Sequence, residues 1–239
     1  MRAPRKTTET SRSGWLKPSD GPGSPVLACD WNGTLVDDAE RTWRATVHVL
    51  EVRGLPSPDL AAFLDTFRLP LSAFFSVCGV AEPELVQAEI DWNLALREDG
   101  LPPATSGAAS MLAALERLGI PVGVVSAAAT DVVRRDIAAL GFDSRFSFVI
   151  GAVASKQETL GKIRAAAAGA PVAYLGDTEH DMHEANAAGV HSIGFAGGYR
   201  PASALRGAGA GSIVDSLEDV PRIVRRLVEH QPFPRRTNP

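Results

Sequence analysis

Six short apolar runs, separated by helical patterns, constrain this chain more than any other feature. They are Val26–Cys29, Ile120–Ser126, Phe146–Ile150, Pro171–Leu175, His191–Phe195 and Ser212–Val214. Strands buried on both faces read as continuous apolar runs rather than as alternating ones, and parallel neighbours need long crossovers between them. The helical patterns supply those crossovers. Gly107–Leu118 stops at Gly119, Asp131–Leu140 at Gly141 and Glu179–Ala188 at Gly189. Glycine accepts the left-handed backbone that closes a helix, so each stop marks a helix end. The repeated β-α-β pattern predicts an α/β fold built on a doubly wound parallel sheet.

One interval breaks the pattern. Between Asp37 and about Thr105 no strand is expected; Glu40–Arg53, Leu60–Phe67 and Glu84–Glu98 read as helices, punctuated by Pro56, Pro58, Pro70, Pro83 and the Pro102-Pro103 pair. Such a stretch is too long for a simple crossover and too regular for a loop. It predicts an inserted helical cap over 38–104, with the core formed by 25–37 and 105–229. Met1–Ser24 carries five cations (Arg2, Arg5, Lys6, Arg12, Lys17) against two acids (Glu9, Asp20) among Ser, Thr, Pro and Gly, with no apolar segment of the signal-peptide kind. It reads as a disordered arm over 1–24, and 230–239 reads as a flexible tail.

Bulk properties narrow the function classes. A formal net charge of -4 provides no general basic field for nucleic acid, and no stretch has the ~18 apolar residues that span a bilayer. Neither partner is expected. Cys29 and Cys78 lack a metal-binding or redox spacing and read as thiols of a reducing compartment, which places the chain in the cytoplasm as a monomer or homodimer.

Ligands of an open α/β sheet bind beyond the carboxyl ends of its strands. Asp30 follows the first strand and opens Asp30-Trp31-Asn32-Gly33-Thr34-Leu35; Ser126 follows the second; Lys156 lies beyond the third; Asp177 and Asp181 follow the fourth in "GDTEHDM". Acids from separate strands suit a hard cation such as Mg²⁺. Beside a cation, Asp30 can attack a phosphate dianion, with Ser126 and the backbone N–H groups of Gly33 and Thr34 holding phosphoryl oxygens and Lys156 adding positive charge. The reaction that suits this set is attack by Asp30 on phosphorus, followed by hydrolysis of the aspartyl-phosphate. Read singly, Asp30 is a strand-end cap, Asp177 and Asp181 are helix N-terminal acids, and Ser126 and Lys156 are ordinary polar residues; the set carries the chemistry.

"DWNGTL", "VVSA", the downstream Lys156 and "GDTEHD" resemble the four ordered motifs of the haloacid dehalogenase superfamily, and the insertion resembles its first-type helical cap. The similarity runs from about Val26 to Leu227 and is greatest to the phosphoglycolate-phosphatase-like branch, including "AAGVHSIGFAGGY" and "AGAGSIVDSLEDV". It implies a Rossmann-like fold, an Asp30 nucleophile, and Mg²⁺ held by Asp30, the backbone carbonyl of Asn32 and Asp177, with Asp181 in support. The implied substrate is a small phosphorylated metabolite. Asn32 departs from the pattern, since most family phosphatases carry there an aspartate that shuttles protons, which an amide cannot do. The alternatives are a phosphotransferase or mutase, a weakly catalytic phosphate-binding regulator, and a metal-free dehalogenase, against which the Asp177/Asp181 pair argues. His48, Glu179 and His180 are candidate substitutes for the proton shuttle. Arg41, Arg44, Arg53 and Arg68 are candidates for a second anionic group, and Trp43, Phe74, Phe75 and Trp92 are candidates for pocket lining or cap core.

Overall fold

The computed structural model describes residues 23–229; most of the expected arm and all of the expected tail lie outside them. The chain runs β1 (Val26–Cys29), α1 (Ala39–Glu51), α2 (Leu60–Thr66), α3 (Leu71–Val77), α4 (Leu85–Glu98), α5 (Ala108–Arg117), β2 (Val122–Val125), α6 (Thr130–Ala139), β3 (Phe148–Ile150), α7 (Lys156–Ala166), β4 (Val172–Gly176), α8 (Glu179–Ala187), β5 (His191–Phe195), α9 (Ala202–Gly207), β6 (Ser212–Val214) and α10 (Val220–Glu229). The six strands form one parallel sheet in the order β3-β2-β1-β4-β5-β6. This is the Rossmann-like α/β architecture. Successive side chains of a strand face opposite layers, so β1 divides its apolar residues. Leu27 and Cys29 join the core formed with α5, α6 and α10, whereas Val26 and Ala28 join the one formed with α7 and α8.

The strand order reverses direction at β1 and β4, which lie side by side with Cys29 opposite Leu175. A crevice opens at such a reversal because the connections leave to opposite sides. Helices α1 to α4 enter between β1 and α5 and pack on one another through Phe63, Phe74, Phe75, Trp92 and Leu96. Polar links fasten them to the sheet-bearing part. The buried Arg41 guanidinium lies 2.6 Å from the Asp136 carboxylate and also bonds the Leu96 carbonyl. Asn93 Oδ1 accepts from the Ala129 N–H at 2.7 Å, and Arg200 donates to the carbonyls of Leu64 and Phe67.

Sequence reading missed α3, where Leu-Ser-Ala-Phe-Phe-Ser-Val has no charged residue and no polar face to reveal helical periodicity. Ile120 is also not strand: its N–H closes the end of α5 on the Leu115 carbonyl, so the apolar run there spans a helix cap as well as β2. Phe146 likewise precedes β3, just after a short turn of helix at Asp143–Arg145.

Candidate active site

β1 delivers Asp30 and β4 delivers Asp177 to adjoining ends of the sheet, both buried. The first residue of α7, Lys156, inserts its ammonium between two carboxylates, 2.8 Å from Asp30 Oδ2 and 2.6 Å from Asp181 Oδ1. The Trp31 N–H donates to Asp30 Oδ1 at 2.8 Å, so each oxygen of that carboxylate has its orientation set. Asp181 stands at the third position of α8 in a capping box with Thr178, whose hydroxyl accepts from the Asp181 N–H at 3.2 Å while the Thr178 N–H donates to Asp181 Oδ2 at 3.0 Å. The acid is therefore both a helix cap and a member of the cluster. Tyr174 completes this wall by donating to Asp181 Oδ1 at 3.2 Å and to the Val125 carbonyl at 3.1 Å.

Asp177 is held differently, by the Thr34 hydroxyl at 2.7 Å and the Tyr199 N–H at 2.8 Å, and among the described residues no cation pairs with it. Gly33 makes this approach possible. Its φ of 71° is left-handed, and a Cβ there would strike the Asp177 carboxylate. Gly176 does the same for Asp181, whose side chain occupies the space a Cβ would need.

Three buried carboxylates cluster here, and two of them hold one ammonium. Asp30, Asp177 and Asp181 each bring an oxygen within 4.8 Å of the others, so ionising all three would leave two negative charges uncompensated. Burial pushes the Asp30 carboxyl up to about 7 against the pull of Lys156, and pushes Asp177 well above the usual carboxylate range, with Asp181 and Asp30 adding to the effect. Burial acts the same way on Asp181, but Lys156 and Thr178 outweigh it and hold that carboxyl low. Lys156 is held above its ordinary value because Asp181 and Asp30 outweigh the desolvation that would discharge it. An all-oxygen site of three acids around so little positive charge fits a hard divalent cation, which would favour the ionised forms that burial disfavours.

A feature of the loop after β1 was not legible in the sequence: Asp38 is buried beneath it. Its carboxylate accepts from the Asn32 side-chain amide, from the Gly33 N–H at 2.9 Å, from the Tyr199 hydroxyl at 3.1 Å and from the Thr42 hydroxyl at 3.3 Å. The Gly33 N–H is thus engaged within the loop, and the Thr34 N–H lies 3.3 Å from the Trp31 carbonyl. Ser126 is buried at the end of β2, beside β1, with its Oγ accepting from the Ala128 N–H at 3.2 Å. Asn32 is one half of an amide–carboxylate pair. Asn32→Asp sets two carboxylates against each other in a buried place, and is expected to lower stability by about 1–3 kcal/mol. Adding Asp38→Asn restores one donor and one acceptor, so the double variant recovers most of that loss. Urea denaturation of the two single variants and the double variant checks it.

The fold and this site agree with comparisons to known proteins. The family model for haloacid dehalogenase-like hydrolases matches residues 28–195. The chain is 30% identical over 210 residues to "Probable phosphatase IndB" of Dickeya dadantii, covering 82% of this chain and 91% of that one. The chain belongs to the haloacid dehalogenase-like hydrolases. A phosphoglycolate phosphatase of Pectobacterium atrosepticum is 28% identical over 132 residues, 52% of this chain and 56% of the relative. Among solved structures, a predicted phosphatase from Clostridium acetobutylicum superposes with a TM-score of 0.76 at 19% identity, covering 85% of this chain and 99% of that one. A haloacid dehalogenase-like family protein from Streptococcus pneumoniae gives 0.72 at 18%, covering 84% and 98%. At those identities the superpositions speak for the fold.

Around this hydrolase's acidic cluster, the outlying candidates separate. His180 lines a cleft together with Lys156, and burial and the nearby Lys156 charge hold its imidazole below the ordinary value. Glu179 is paired with Arg200 at 3.1 Å, and His48 is exposed on α1. Arg41 is bound to Asp136, Arg44 to Glu40 and Asp99, and Arg53 to Glu84 and Asp91; Arg68 is exposed and donates to the Phe67 carbonyl. None of the four arginines lines the cleft. Phe74, Phe75 and Trp92 are buried among the inserted helices, and the Trp43 indole donates to the Pro58 carbonyl at 2.8 Å. These aromatics serve as packing.

Proposed function

We propose that this hydrolase is a Mg²⁺-dependent phosphomonoesterase of the cytoplasm that releases phosphate from a small phosphorylated metabolite through an aspartyl-phosphate on Asp30. The observation that carries the reading is the juxtaposition of Asp30, Asp177 and Asp181 around Lys156 at the reversal of strand order. The named activity of the Dickeya and Pectobacterium relatives supports phosphate esters as substrates, and the two free thiols, Cys29 and Cys78, agree with a reducing compartment.

In this reading Asp30 Oδ1, oriented by the Trp31 N–H, or Oδ2, oriented by Lys156, attacks phosphorus as the P–O bond to the alcohol breaks, that oxygen takes a proton from solvent, and water then cleaves the acyl phosphate and gives its proton back to solvent. Lys156 neutralises charge on the attacking side, and Ser126 offers its hydroxyl to a phosphoryl oxygen. Mg²⁺, held by Asp30, the Asn32 backbone carbonyl and Asp177, with Asp181 in support, would offset the repulsion between carboxylate and phosphate. The helices α1 to α4 act as a cap that limits water at the site.

A second reading, transfer of the phosphoryl group to an acceptor alcohol, is favoured by the Asn32–Asp38 pair. With its NH₂ on Asp38, Asn32 cannot take a proton from water, and slow hydrolysis of the aspartyl-phosphate would leave it time to meet an acceptor. Release of phosphate in the presence and absence of added alcohols separates the two.

The metal assignment has a test independent of turnover. Mg²⁺ binds the folded state and should raise the melting temperature, by the equivalent of about 2.7 kcal/mol at a hundredfold excess over its dissociation constant. In EDTA the pH dependence follows from Asp30. Its folded value of about 7 lies above the unfolded 3.8, so its contribution is present below 3.8 and is lost as pH rises through 7. The melting temperature in EDTA should therefore fall across that window, and Mg²⁺ should reduce the fall. Equal curves with and without Mg²⁺, at a pH where the protein is active, would remove the cation from the site.

A further inference from the structure

Helix α4 is apolar on two faces, and folding accounts for only one. Ala88, Trp92 and Leu96 are buried against the other inserted helices. Val86, Ile90 and Leu94, one turn apart along another face, remain 71%, 47% and 46% exposed. They line a cleft of about 540 Å³ whose other walls include Leu69 and Leu71 at the start of α3, Ala127 and Ala129 after β2, and Val153 and Lys156 at the start of α7. The exposed stripe and Lys156 therefore line the same cleft, and Lys156 is the residue that pairs with Asp30 and Asp181 of the acidic cluster.

The charges within the cleft are as informative as its apolar wall. Arg97 forms an ion pair with Asp131, and Lys156 is shared between Asp30 and Asp181. Glu89 adds a half-buried acid. Among the described residues the cleft thus has no cation left over for a second anionic group on a substrate, and Glu89 opposes one. Its volume lies within the roughly 300–1,000 Å³ of pockets that hold drug-sized ligands, well beyond the needs of a two-carbon acid.

We propose that this cleft receives the uncharged, apolar alcohol portion of a phosphate monoester, packed against Val86, Ile90 and Leu94, and that the protein discriminates against small carboxylate-bearing phosphates such as phosphoglycolate. The assignment rests on the phosphatase reading for the position of the phosphate. It accounts for the exposed aliphatic stripe, for the absence of the four expected arginines from the cleft, and for the paired state of the cations that are present.

The test is binding of n-alkylphosphonates, from methyl to hexyl, to the Mg²⁺-loaded protein by calorimetry. These compounds carry the phosphate-like head but cannot be hydrolysed. The dissociation constant should fall roughly 2–4-fold per methylene, at least about 30-fold over the series. 3-Phosphonopropionate, which mimics phosphoglycolate, should bind more weakly than propylphosphonate. The Ile90→Asp/Leu94→Asp variant should flatten the series, whereas Val77→Asp, at an exposed position outside the cleft, should retain the slope. A flat series in the native protein, a slope that survives in the double variant, or tighter binding of the carboxylate compound overturns the proposal. So does a flat series accompanied by conversion of a dimer to a monomer in the double variant, which would make the stripe an interface between copies. Chain-length-dependent binding without release of phosphate from hexyl phosphate would contradict the phosphatase reading and leave the cleft assignment standing.

Discussion

Asp30→Asn is expected to abolish turnover, by at least about 10⁴-fold, while leaving the fold intact. The two halves of that statement have separate causes. An amide has no anionic oxygen with which to attack phosphorus, so the covalent route closes. Stability is not expected to fall with it, because the native carboxylate is expensive to bury: desolvation lifts its titration to about 7, and the uncharged amide avoids that penalty. Its carbonyl can still accept from one of the two donors that now bond separate oxygens, the Trp31 N–H or Lys156, and Lys156 keeps its 2.6 Å partner Asp181. The variant should therefore melt at or above the native temperature in EDTA and show no phosphate release. Retained turnover would remove Asp30 as the nucleophile; a large loss of stability would show that the charge itself holds the site together.

Lys156→Met is expected to have the opposite profile, with loss of both stability and activity. The methionine side chain is of similar length and fills the same space, so the change isolates the ammonium. Without it, Asp30, Asp177 and Asp181 face one another uncompensated within 4.8 Å. Breaking a buried pair by removing one partner typically costs about 3–5 kcal/mol, a large share of the 5–15 kcal/mol that holds a domain folded. The sign with pH is clear: protonation relieves carboxylate repulsion, so the variant should regain stability towards pH 5 and lose most above pH 7. Excess Mg²⁺ should restore part of the melting temperature, since a divalent cation compensates the same charges. Activity should not return with stability, because in the proposed mechanism Lys156 also orients the attacking oxygen; loss of one such donor is worth about 10²–10³-fold. A variant as stable as the native protein at pH 8 in EDTA would contradict the electrostatic account of the cluster.

The sheet was legible in the sequence because buried parallel strands leave uninterrupted apolar runs. β1, β5 and β6 occupy the expected Val26–Cys29, His191–Phe195 and Ser212–Val214. The positions of Asp30, Asp177, Asp181 and Lys156 at strand or helix ends followed from the topology rule, and the structure pairs Lys156 with Asp30 and Asp181 and brings an Asp177 oxygen within 4.8 Å of theirs. Legibility failed where a partner is distant in sequence or chemically unremarkable. Asp38 adjoins Asp37 and reads as a helix N-terminal acid; only the fold brings it under Asn32 and beside Tyr199. Tyr174 looks like one more apolar strand residue until its hydroxyl is seen to reach Asp181. The four arginines stood out as cations, but electrostatics had already committed three of them to carboxylates, and periodicity within the insertion could not show which faces of α4 would be covered.

The account rests on a covalent phosphoryl group at Asp30, and trapping that group tests it most directly. The protein, mixed with a phosphate ester that it turns over and Mg²⁺, is quenched in acid within a single turnover, digested and weighed peptide by peptide. The account predicts one phosphoryl group on the peptide that contains Asp30, lost on treatment with hydroxylamine and never formed in Asp30→Asn. Turnover with no phosphorylated peptide at any quench time, or with the phosphoryl group on another residue, would contradict it.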